Sequence, residues 1–544
     1  MAQTFTKKTA AIAVAAGLAF SGSAGAAFAP VAQATPEVVQ PEAPVSDSAQ
    51  SDNKITIHKR VGADKHGTPA PNGGPSTDVA GSPLAGAEFK IEKINVDMRT
   101  DEGFAKAAEL QSTTGGVDFD KLNAAGIDKS FQARTAKTDA NGEIVFGNLP
   151  VGAYLVTETA APTAEDKAYV PSAPFIVYAP IWDEKAKDWN RDIHAYPKNT
   201  ELTVTKKVKD EGKNPIQEDN RTLTYTIDSP VPLLPPQRSL TELSVEDAYK
   251  AGDFVNGLNI AKVEIVNGDT VKQTLTEGQY TVAGPAALAK PIEKDGKVVA
   301  DTTRTVTVTD AAVLKGLGAG DALRVTLTGE AEKVQQDGKG KGVEDGEISN
   351  YARTTGKTEV TGKPGFDDTT FDTPYTSVET YIAAVKVVKH KKGEENTLLN
   401  GAKFDVYSVA KGQSCSAQDR NIIKKDFEVN GTAVINALHV VDYVDGKAVG
   451  VPAEQIKFCL VETAAPEGYN VDDTPREITG VTRANASAPQ TVDGLTYSAE
   501  VKVPNEPRKP LQLPQTGGMG VLALILGGLA LIGGGAFAAR RKTA

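Results

Sequence analysis

One candidate for covalent chemistry in this sequence is a lysine that lies on the apolar face of a predicted strand. Lys206 shares its strand face with three apolar residues, Leu202, Val204 and Val208. Asp247 alternates in the same way with Leu243 and Val245, and Asp228 is the alternative carboxylate. Burial lowers the pKa of a lysine and raises that of a carboxylate, so a neutral amine there could act as a nucleophile. The simpler interpretation is a buried ion pair between Lys206 and Asp247.

The two cysteines, Cys415 and Cys459, are the other reactive side chains. They bracket about 44 residues, and a disulfide between them would stabilise the fold by roughly 4 kcal/mol in the loop-entropy model. Two unpaired thiols are the alternative. The five histidines are scattered and none clusters with the cysteines, so no zinc site is expected: His58, His66, His194, His390 and His439.

Composition excludes several classes of function. The net charge is −11, which gives no electrostatic basis for binding nucleic acid or an anionic membrane. No Gly-x-Ser-x-Gly or His-Glu-x-x-His motif is present, so no enzyme and no cofactor are expected. No EF-hand loop occurs, although the many Asp residues leave calcium binding open.

Both ends of the chain carry targeting signals. Residues 513–517 read LPQTG (Leu513, Pro514, Gln515, Thr516, Gly517), and an apolar run of about 21 residues, 519–539, follows them and could cross a bilayer. The basic tail 540–542 would hold the end on the cytoplasmic side. At the other end, residues 1–34 have the layout of a signal peptide cut after Ala34. The mature chain should therefore be exported.

Between these signals, short β-branched runs separated by turn residues predict an all-β protein. Examples are 55–57, 202–205, 304–308 and 324–328. Two helical patches, 102–110 and 118–125, look like insertions. The predicted organisation is a flexible leader over 35–53, domains over 54–199, 200–380 and 381–506, and the sorting segment 507–544.

An internal repeat relates the first and third domains. The string from Leu84 to Ile91 recurs from Leu399 to Val406, and that from Tyr154 to Pro162 recurs from Phe458 to Pro466. The order and separation are kept, so these domains are interpreted as copies of one module. The middle domain lacks both strings and is expected to be a different β-sandwich.

The C-terminal signal resembles the cell-wall sorting signal of Gram-positive surface proteins, which a sortase cleaves between Thr516 and Gly517. The repeated strings resemble collagen-adhesin B-type (CNA-B) immunoglobulin-like modules, and Glu462 to Tyr469 is similar to the "E box" of pilins. The resemblance implies an all-β fold of three tandem immunoglobulin-like (CNA-type) β-sandwich domains, the first with helical insertions.

A further motif resembles the pilin motif of sortase-assembled shaft pilins. It comprises Trp189, Tyr196, Pro197, Lys198 and Asn199, with Ile193 and Ala195 replacing two valines. In that family the lysine attacks the acyl-enzyme formed at the LPxTG threonine of the next subunit. The resemblance thus implies a linkage between Lys198 and Thr516 of another copy. The simpler interpretation of Lys198 is a solvated linker lysine.

The resemblance also implies spontaneous Lys–Asn isopeptide bonds inside the domains, each promoted by a carboxyl group. For the middle domain it implies Lys206–Asn350 with Asp247 as the acid. For the third domain it implies Lys386–Asn505 with Glu462, although the alternation does not separate Lys386 from Lys389.

The first domain departs from this pattern. The same alignment places Thr56 at the position of the reactive lysine, whereas Glu158 and Asn199 are kept. No isopeptide bond is expected there.

Together these features predict the shaft subunit of a covalent surface pilus that is anchored to the cell wall and supports adhesion. Its expected partners are other copies of itself, a pilus-specific and a housekeeping sortase, peptidoglycan and minor pilins, with no host receptor indicated. The alternatives are a monomeric wall-anchored adhesin and a minor pilin at the base or tip. A monomeric adhesin would have no use for Lys198 as a donor, so the pilin motif favours the shaft.

Overall fold

The structure is a computed structural model. It describes residues 52–509 and 524–529, apart from 63–69, 71, 77–78, 112–115, 163, 165–166, 212–220, 233, 235–237, 319, 339, 361–367, 411 and 450–455. The signal peptide, almost all of the leader and the LPQTG pentapeptide lie outside the described residues. So does most of the apolar run 519–539, of which 524–529 are helical. Within the described parts of the chain, no helix is both long and apolar enough to span a membrane.

Among its described residues, the first domain contains thirteen strands and two α-helices. The strands are β1 (Asn53–His58), β2 (Arg60–Val61), β3 (Ser82–Pro83), β4 (Glu88–Lys93), β5 (Arg134–Lys137), β6 (Glu143–Leu149), β7 (Gly152–Ala160), β8 (Ala168–Val170), β9 (Phe175–Ala179), β10 (Ile181–Asp183), β11 (Asp188–Asn190), β12 (Asp192–Ala195) and β13 (Lys198–Leu202). The helices are α1 (Asp101–Ala108) and α2 (Phe119–Ala125).

The strands of the first domain form a sandwich whose halves face each other across an apolar core. One half contains the sheets β12-β1-β6 and β3-β2-β13-β8, and the other is β5-β4-β7-β9. Both helices were predicted from the sequence and begin at polar caps, where Thr100 and Asp118 accept hydrogen bonds from first-turn amides. Large side chains such as Phe89 and Tyr154 fill the core.

The middle domain is a larger sandwich of eleven strands. They are β14 (Thr205–Lys209), β15 (Thr222–Pro230), β16 (Arg238–Tyr249), β17 (Asn259–Asn267), β18 (Thr270–Thr274), β19 (Tyr280–Lys294), β20 (Lys297–Val308), β21 (Asp321–Glu330), β22 (Glu347–Val360), β23 (Thr369–Asp372) and β24 (Thr376–Lys391), with the helix α3 (Ala311–Gly316) and a short 3-10 helix at Ala251–Asp253. The sheet β14-β15-β21-β17-β18 packs on the sheet that contains β19, β20, β16, β22 and β24.

The predicted strand 202–205 is corrected by the structure, because β13 ends at Leu202 and β14 begins at Thr205. The predicted strands 304–308 and 324–328 lie within β20 and β21. The burial alternation still runs unbroken from Leu202 to Val208 through the break, which is why a single strand was predicted.

The third domain is built on the second half of β24. Its own elements are β25 (Glu394–Leu398), β26 (Ala402–Ala410), β27 (Asn421–Val429), β28 (Thr432–His439), β29 (Tyr443–Val444), β30 (Lys447–Ala448), β31 (Ile456–Ala464), β32 (Arg476–Ile478), β33 (Gln490–Val492), β34 (Leu495–Tyr497) and β35 (Ala499–Asn505), with the short helix α4 (Arg483–Ala486). The sheet β27-β26-β31-β32 faces β24, β25, β28 and β35.

Two strands run across the domain boundaries proposed from the sequence. β13 starts in the first domain at Lys198 and continues to Leu202. β24 pairs with β22 of the middle domain over Thr376–Tyr381, and then with β28 and β35 of the third domain. A single sheet of nine strands therefore extends through the second and third domains.

Candidate functional site

In the middle domain, the structure brings together the lysine, acid and asparagine that the sequence nominated. Lys206 on β14 donates from Nζ to Asp247 Oδ2 at 2.6 Å. Asn350 on β22 donates from Nδ2 to Asp247 Oδ1 at 3.0 Å. All three residues are buried. The reserve acid Asp228 is instead held by a bidentate contact with Arg324.

The first domain contains an equivalent group, and this corrects the expectation that its nucleophile is missing. Lys59, which lies between β1 and β2, donates to Glu158 Oε2 at 2.7 Å. Asn199 donates from Nδ2 to Glu158 Oε1 at 2.7 Å, and all three side chains are buried. Thr56 faces the opposite side of β1 from Ile55 and Ile57, so it was the wrong residue to align.

In the third domain the structure selects Lys389 rather than Lys386, which corrects the assignment suggested by the alignment. Lys389 Nζ lies 2.9 Å from Glu462 Oε1, both side chains being fully buried, although the angles are not those of a hydrogen bond. Asn505 Nδ2 donates to Glu462 Oε2 at 2.9 Å. Lys386 points to the other side of β24 and pairs with Glu500 at 3.2 Å.

The parallel pairing of two strands explains why the lysine–acid–asparagine groups of the first and third domains have the same arrangement. In the third domain, β24 and β35 run parallel and pair Lys389 with Val503, two residues before Asn505. In the first domain, β2 and β13 also run parallel and pair Arg60 with Lys198. Extending that register by one residue sets Lys59 opposite Pro197, two residues before Asn199. The acid comes from the facing sheet in each case, on β7 or β31.

In the middle domain, a similar contact between lysine, acid and asparagine is formed from differently placed strands. Its acid and asparagine lie on β16 and β22, which are antiparallel neighbours, and Asp247 pairs there with Ala352. Its lysine comes from the opposite sheet. This difference agrees with the absence of the repeated strings from this domain.

The surroundings of the three lysines favour an uncharged amine. Each Nζ lies over an aromatic ring, at 5.3 Å from Phe89 for Lys59, 5.4 Å from Tyr225 for Lys206 and 5.5 Å from Phe404 for Lys389. The ring by itself favours the ammonium form, so it acts against the effect of burial. Burial is the largest cause acting on all three, and it lowers the pKa of each lysine despite the neighbouring carboxylate, which raises it. A neutral amine is the form that can attack an amide.

The three asparagines share one unusual feature. The Oδ1 atoms of Asn199, Asn350 and Asn505 are buried and have no hydrogen-bond partner among the described residues. An unpaired buried carbonyl oxygen is costly. Each oxygen could therefore still accept a hydrogen bond or a proton.

Lys198 lies at the first residue of β13, at the junction of the first and second domains. It is only 8% exposed, so it is not the solvated linker lysine of the simpler interpretation. Burial, followed by the charge of Arg60, lowers the pKa of its amine. Tyr196 next to it accepts a hydrogen bond from the Ser76 amide at 2.7 Å and stacks on His58.

The remaining sequence expectations concern cysteine and metal chemistry. Cys415 and Cys459 form the predicted disulfide, which packs against Tyr407 and Val409. Trp189 of the motif contacts Trp182 and Phe104 edge to face. Within the described ranges, no group of three or more His, Cys, Asp or Glu side chains could hold a metal ion.

Comparison with known proteins places this geometry in a family. Residues 50–200 match the model of the Gram-positive pilin subunit D1, N-terminal domain. The fimbrial subunit type 1 of Actinomyces viscosus is 28% identical, over 95% of both chains. The fimbrial subunit type 2 of Actinomyces naeslundii is 29% identical, over 88% of this chain and 87% of the relative.

A solved structure decides the assignment. The full-length major pilin SpaD from Corynebacterium diphtheriae is 31% identical, with 84% of this chain and 98% of that chain covered and a TM-score of 0.57. The chain belongs to the family of Gram-positive major pilins. The three immunoglobulin-like domains predicted from the sequence are thus confirmed for this pilin.

The structure adds Lys59, which the alignment passed over, and places Lys389, which the alternation left open against Lys386, beside the acid. One pattern precedes these two lysines and Lys206, although the stretch from Ile382 to Lys386 fits it too. The pattern is an apolar residue, any residue, an apolar residue, any residue and then lysine. It occurs at Ile55 to Lys59, Leu202 to Lys206 and Val385 to Lys389. Strand alternation selected the second of these and left Lys386 and Lys389 open at the third, whereas the alignment passed over the first.

Proposed function

We propose that this pilin is polymerised by a sortase through Lys198 and Thr516, is stiffened by three internal isopeptide bonds, and is finally joined to peptidoglycan. One observation carries the internal bonds: in the core of each domain, a lysine and an asparagine both contact the same buried carboxyl group. In each group the asparagine amide donates to the carboxyl group while its own carbonyl oxygen stays unpaired among the described residues.

The internal reaction follows from these contacts. Transfer of a proton from the lysine to the carboxylate, across 2.7 Å in the case of Lys59 and Glu158, leaves a neutral amine and a neutral acid. The acid can then donate its proton to the unpaired Asn199 Oδ1 while Nζ attacks Cγ. The Nζ–Cγ bond forms, and Nζ passes one proton through the carboxylate to Nδ2. The Cγ–Nδ2 bond then breaks, the amide nitrogen leaves as ammonia, and Oδ1 returns its proton to the carboxylate. The same steps apply to Lys206 with Asn350 and to Lys389 with Asn505.

Polymerisation is a separate acyl transfer that needs an enzyme. A sortase cysteine would first hold the Thr516 carbonyl of one subunit as a thioester, having released Gly517. The neutral Lys198 amine of another subunit then attacks that carbonyl, so that the Nζ–C bond forms and the C–S bond breaks. The amine loses one proton and the enzyme recovers its thiol. Attack by the amine of peptidoglycan at the last subunit would anchor the shaft and let it support adhesion.

Replacement of Lys198 by arginine tests the polymerisation step. Lys198→Arg keeps the positive charge but removes the primary amine, so we expect the high-mass ladder of wall-extracted polymers to disappear while single subunits remain on the wall. Lys207→Arg is the matched control, because Lys207 is an exposed lysine of β14. A ladder that persists in Lys198→Arg would contradict the proposed linkage and favour another lysine or a monomeric adhesin.

A further inference from the structure

Arg60 is the charged residue set directly across from Lys198. β2 and β13 pair in parallel with Arg60 opposite Lys198, and the Arg60 amide donates to the Pro197 carbonyl at 3.1 Å. Neighbouring strands lie about 4.8 Å apart. The two side chains therefore start from adjacent points of the same sheet.

Alternation also puts both side chains on the same face. Lys59 and Asn199 point into the core, where they contact Glu158. Their neighbours Arg60 and Lys198 must consequently point to the opposite face of the sheet. That face is partly covered, since Lys198 is buried and Arg60 is half-buried.

The Arg60 guanidinium is half-buried and forms no ion pair with a carboxylate among the described residues. Nη1 donates to the Gly81 carbonyl at 3.3 Å, while Nε is buried without a hydrogen-bond partner among the described residues. A guanidinium remains charged across the whole physiological range. A fixed positive charge beside a lysine disfavours the ammonium form.

Other titratable groups flank this pair. On the same face, β1 and β12 carry His58 and His194, whose rings are 2.8 Å apart between nitrogens and whose pKa values burial lowers, so both are largely uncharged at neutral pH. Their outer nitrogens contact Glu143 and Asp192. On the far side, β8 faces β13, and Lys167 pairs there with Glu201 at 3.1 Å.

We propose that Arg60 is a positioning residue for polymerisation, which increases the fraction of the Lys198 amine in its uncharged, nucleophilic form. This inference rests on the proposed function of Lys198. The ordinary pKa of a lysine leaves only about one amine in a few thousand uncharged at neutral pH. Both the burial of Lys198 and the charge of Arg60 act against the ammonium, and the arginine makes no contact with the acyl group. The Lys198 amine then enters the acyl transfer described above, with the C–S bond broken and the thiol restored.

The test measures the reactivity of Lys198 without the sortase. The full-length pilin, purified in detergent, is labelled with trace acetic anhydride from pH 6 to 12, and acetylation of Lys198 is quantified by peptide mass spectrometry. Arg60→Gln should raise the midpoint of the labelling curve by about 0.5 to 1 pH unit, a roughly 3- to 10-fold slower reaction at neutral pH. Arg60→Lys should restore the midpoint. Arg99→Gln, which removes an exposed arginine of the same domain, should leave it unchanged.

The same variants are then compared in sortase-dependent polymerisation at several pH values. A slower ladder for Arg60→Gln at pH 7 that recovers at higher pH would support the inference. An unmoved midpoint would overturn it, even if the labelling amplitude changes at every pH, because that pattern marks a purely structural role. A moved midpoint with an unchanged polymerisation rate would also overturn it. Lys198→Arg tests the proposed linkage separately, because the loss of the polymer ladder expected for it does not depend on any role of Arg60.

Discussion

Burial of the lysine, rather than the mere presence of three residue types, separates the candidate crosslinks from ordinary contacts. Lys272, Asp321 and Asn267 form a fourth such group, in which Lys272 Nζ donates to Asp321 Oδ2 at 2.7 Å and Asn267 Nδ2 donates to Oδ1 at 3.1 Å. The side chain of Lys272 is 46% exposed, however. Its ammonium stays hydrated, and we expect no bond there.

This contrast gives a prediction at the residue scale. Glu462→Gln removes the acid of the third domain, so the chain should lose one ammonia fewer and the Lys389–Asn505 peptide should be absent. The domain should also lose about 3 to 5 kcal/mol of unfolding free energy, because a buried lysine is left without its partner. Peptide mass spectrometry and thermal unfolding of the domain measure the two effects.

Asp321→Asn is the matched control. It breaks a similar contact around the half-exposed Lys272, and the number of ammonia molecules lost should not change. A linked Lys272–Asn267 peptide in the unmodified chain would refute the role assigned to burial, as would an intact Lys389–Asn505 bond in Glu462→Gln.

How far the sequence predicts these sites depends on which residue property is used. Alternation with Leu202 and Val204 placed Lys206 inside, because a strand has only two faces. Alignment to the pilin family places Lys386 at the third site, where the half-buried Lys386 and the buried Val387 and Val388 blur the alternation. The contact with the acid could not be read from the sequence, since Glu462 reaches Lys389 from the facing sheet.

At the scale of elements, β24 makes the second and third domains one body. Reciprocal bonds between side chains and main chain reinforce the shared strand. Asn436 exchanges two hydrogen bonds of 2.8 Å with Val334, and Gln336 exchanges bonds of 3.0 and 3.1 Å with Thr496. A sequence boundary at 380/381 could not reveal this joint, because the apolar pattern of β24 simply continues across it.

Asp210 is a fully buried carboxylate at the joint between the second and third domains, where it contacts Thr380 and Asp445. Its carboxylate accepts bonds from the Asp445 amide at 2.5 Å and from the Thr380 hydroxyl at 2.7 Å, with His439 Nε2 at 3.3 Å. Burial alone would raise the pKa of Asp210. The hydrogen bond and charge of His439 and the other hydrogen bonds outweigh it and hold the pKa below its ordinary value.

The joint should therefore weaken in acid. A carboxylate with a lowered folded-state pKa contributes stability above the unfolded value of about 3.9, and that stability is lost as the pH falls through the lower folded value. The protection factors of the β24 and β28 amides in hydrogen exchange, corrected for the intrinsic rate at each pH, should thus fall below about pH 4. Asp210→Asn should lower the free energy of opening by about 1 to 3 kcal/mol, so exchange is already faster at pH 7. Its protection should then depend little on further acidification.

An exposed carboxylate provides the control for that experiment. Glu211→Gln changes the next residue, which lies at the surface, and should leave the exchange profile as in the unmodified chain. Equal acid sensitivity in Asp210→Asn and the unmodified chain would rule out Asp210 as the titrating group of the joint.

At the scale of the whole molecule, the proposed bonds define a continuous covalent path. The path enters at Lys198, follows the chain to Lys206 and crosses to Asn350. It then continues through β24 to Lys389, crosses to Asn505 and leaves towards Thr516. Tension along this path meets covalent bonds instead of the small free energy that holds an ordinary domain folded. The first domain lies outside the path, so its own bond from Lys59 to Asn199 would secure the strand that presents Lys198 without carrying load.

The intact mass of a recombinant chain covering residues 52–509, combined with peptide mapping, tests this account most directly. Three isopeptide bonds at about 17 Da each and one disulfide at about 2 Da predict a total deficit of about 53 Da. The linked peptides should be Lys59–Asn199, Lys206–Asn350 and Lys389–Asn505. A deficit of only about 2 Da, with all three lysines recovered in unlinked peptides, would contradict the crosslinked shaft and leave three buried ion pairs in its place.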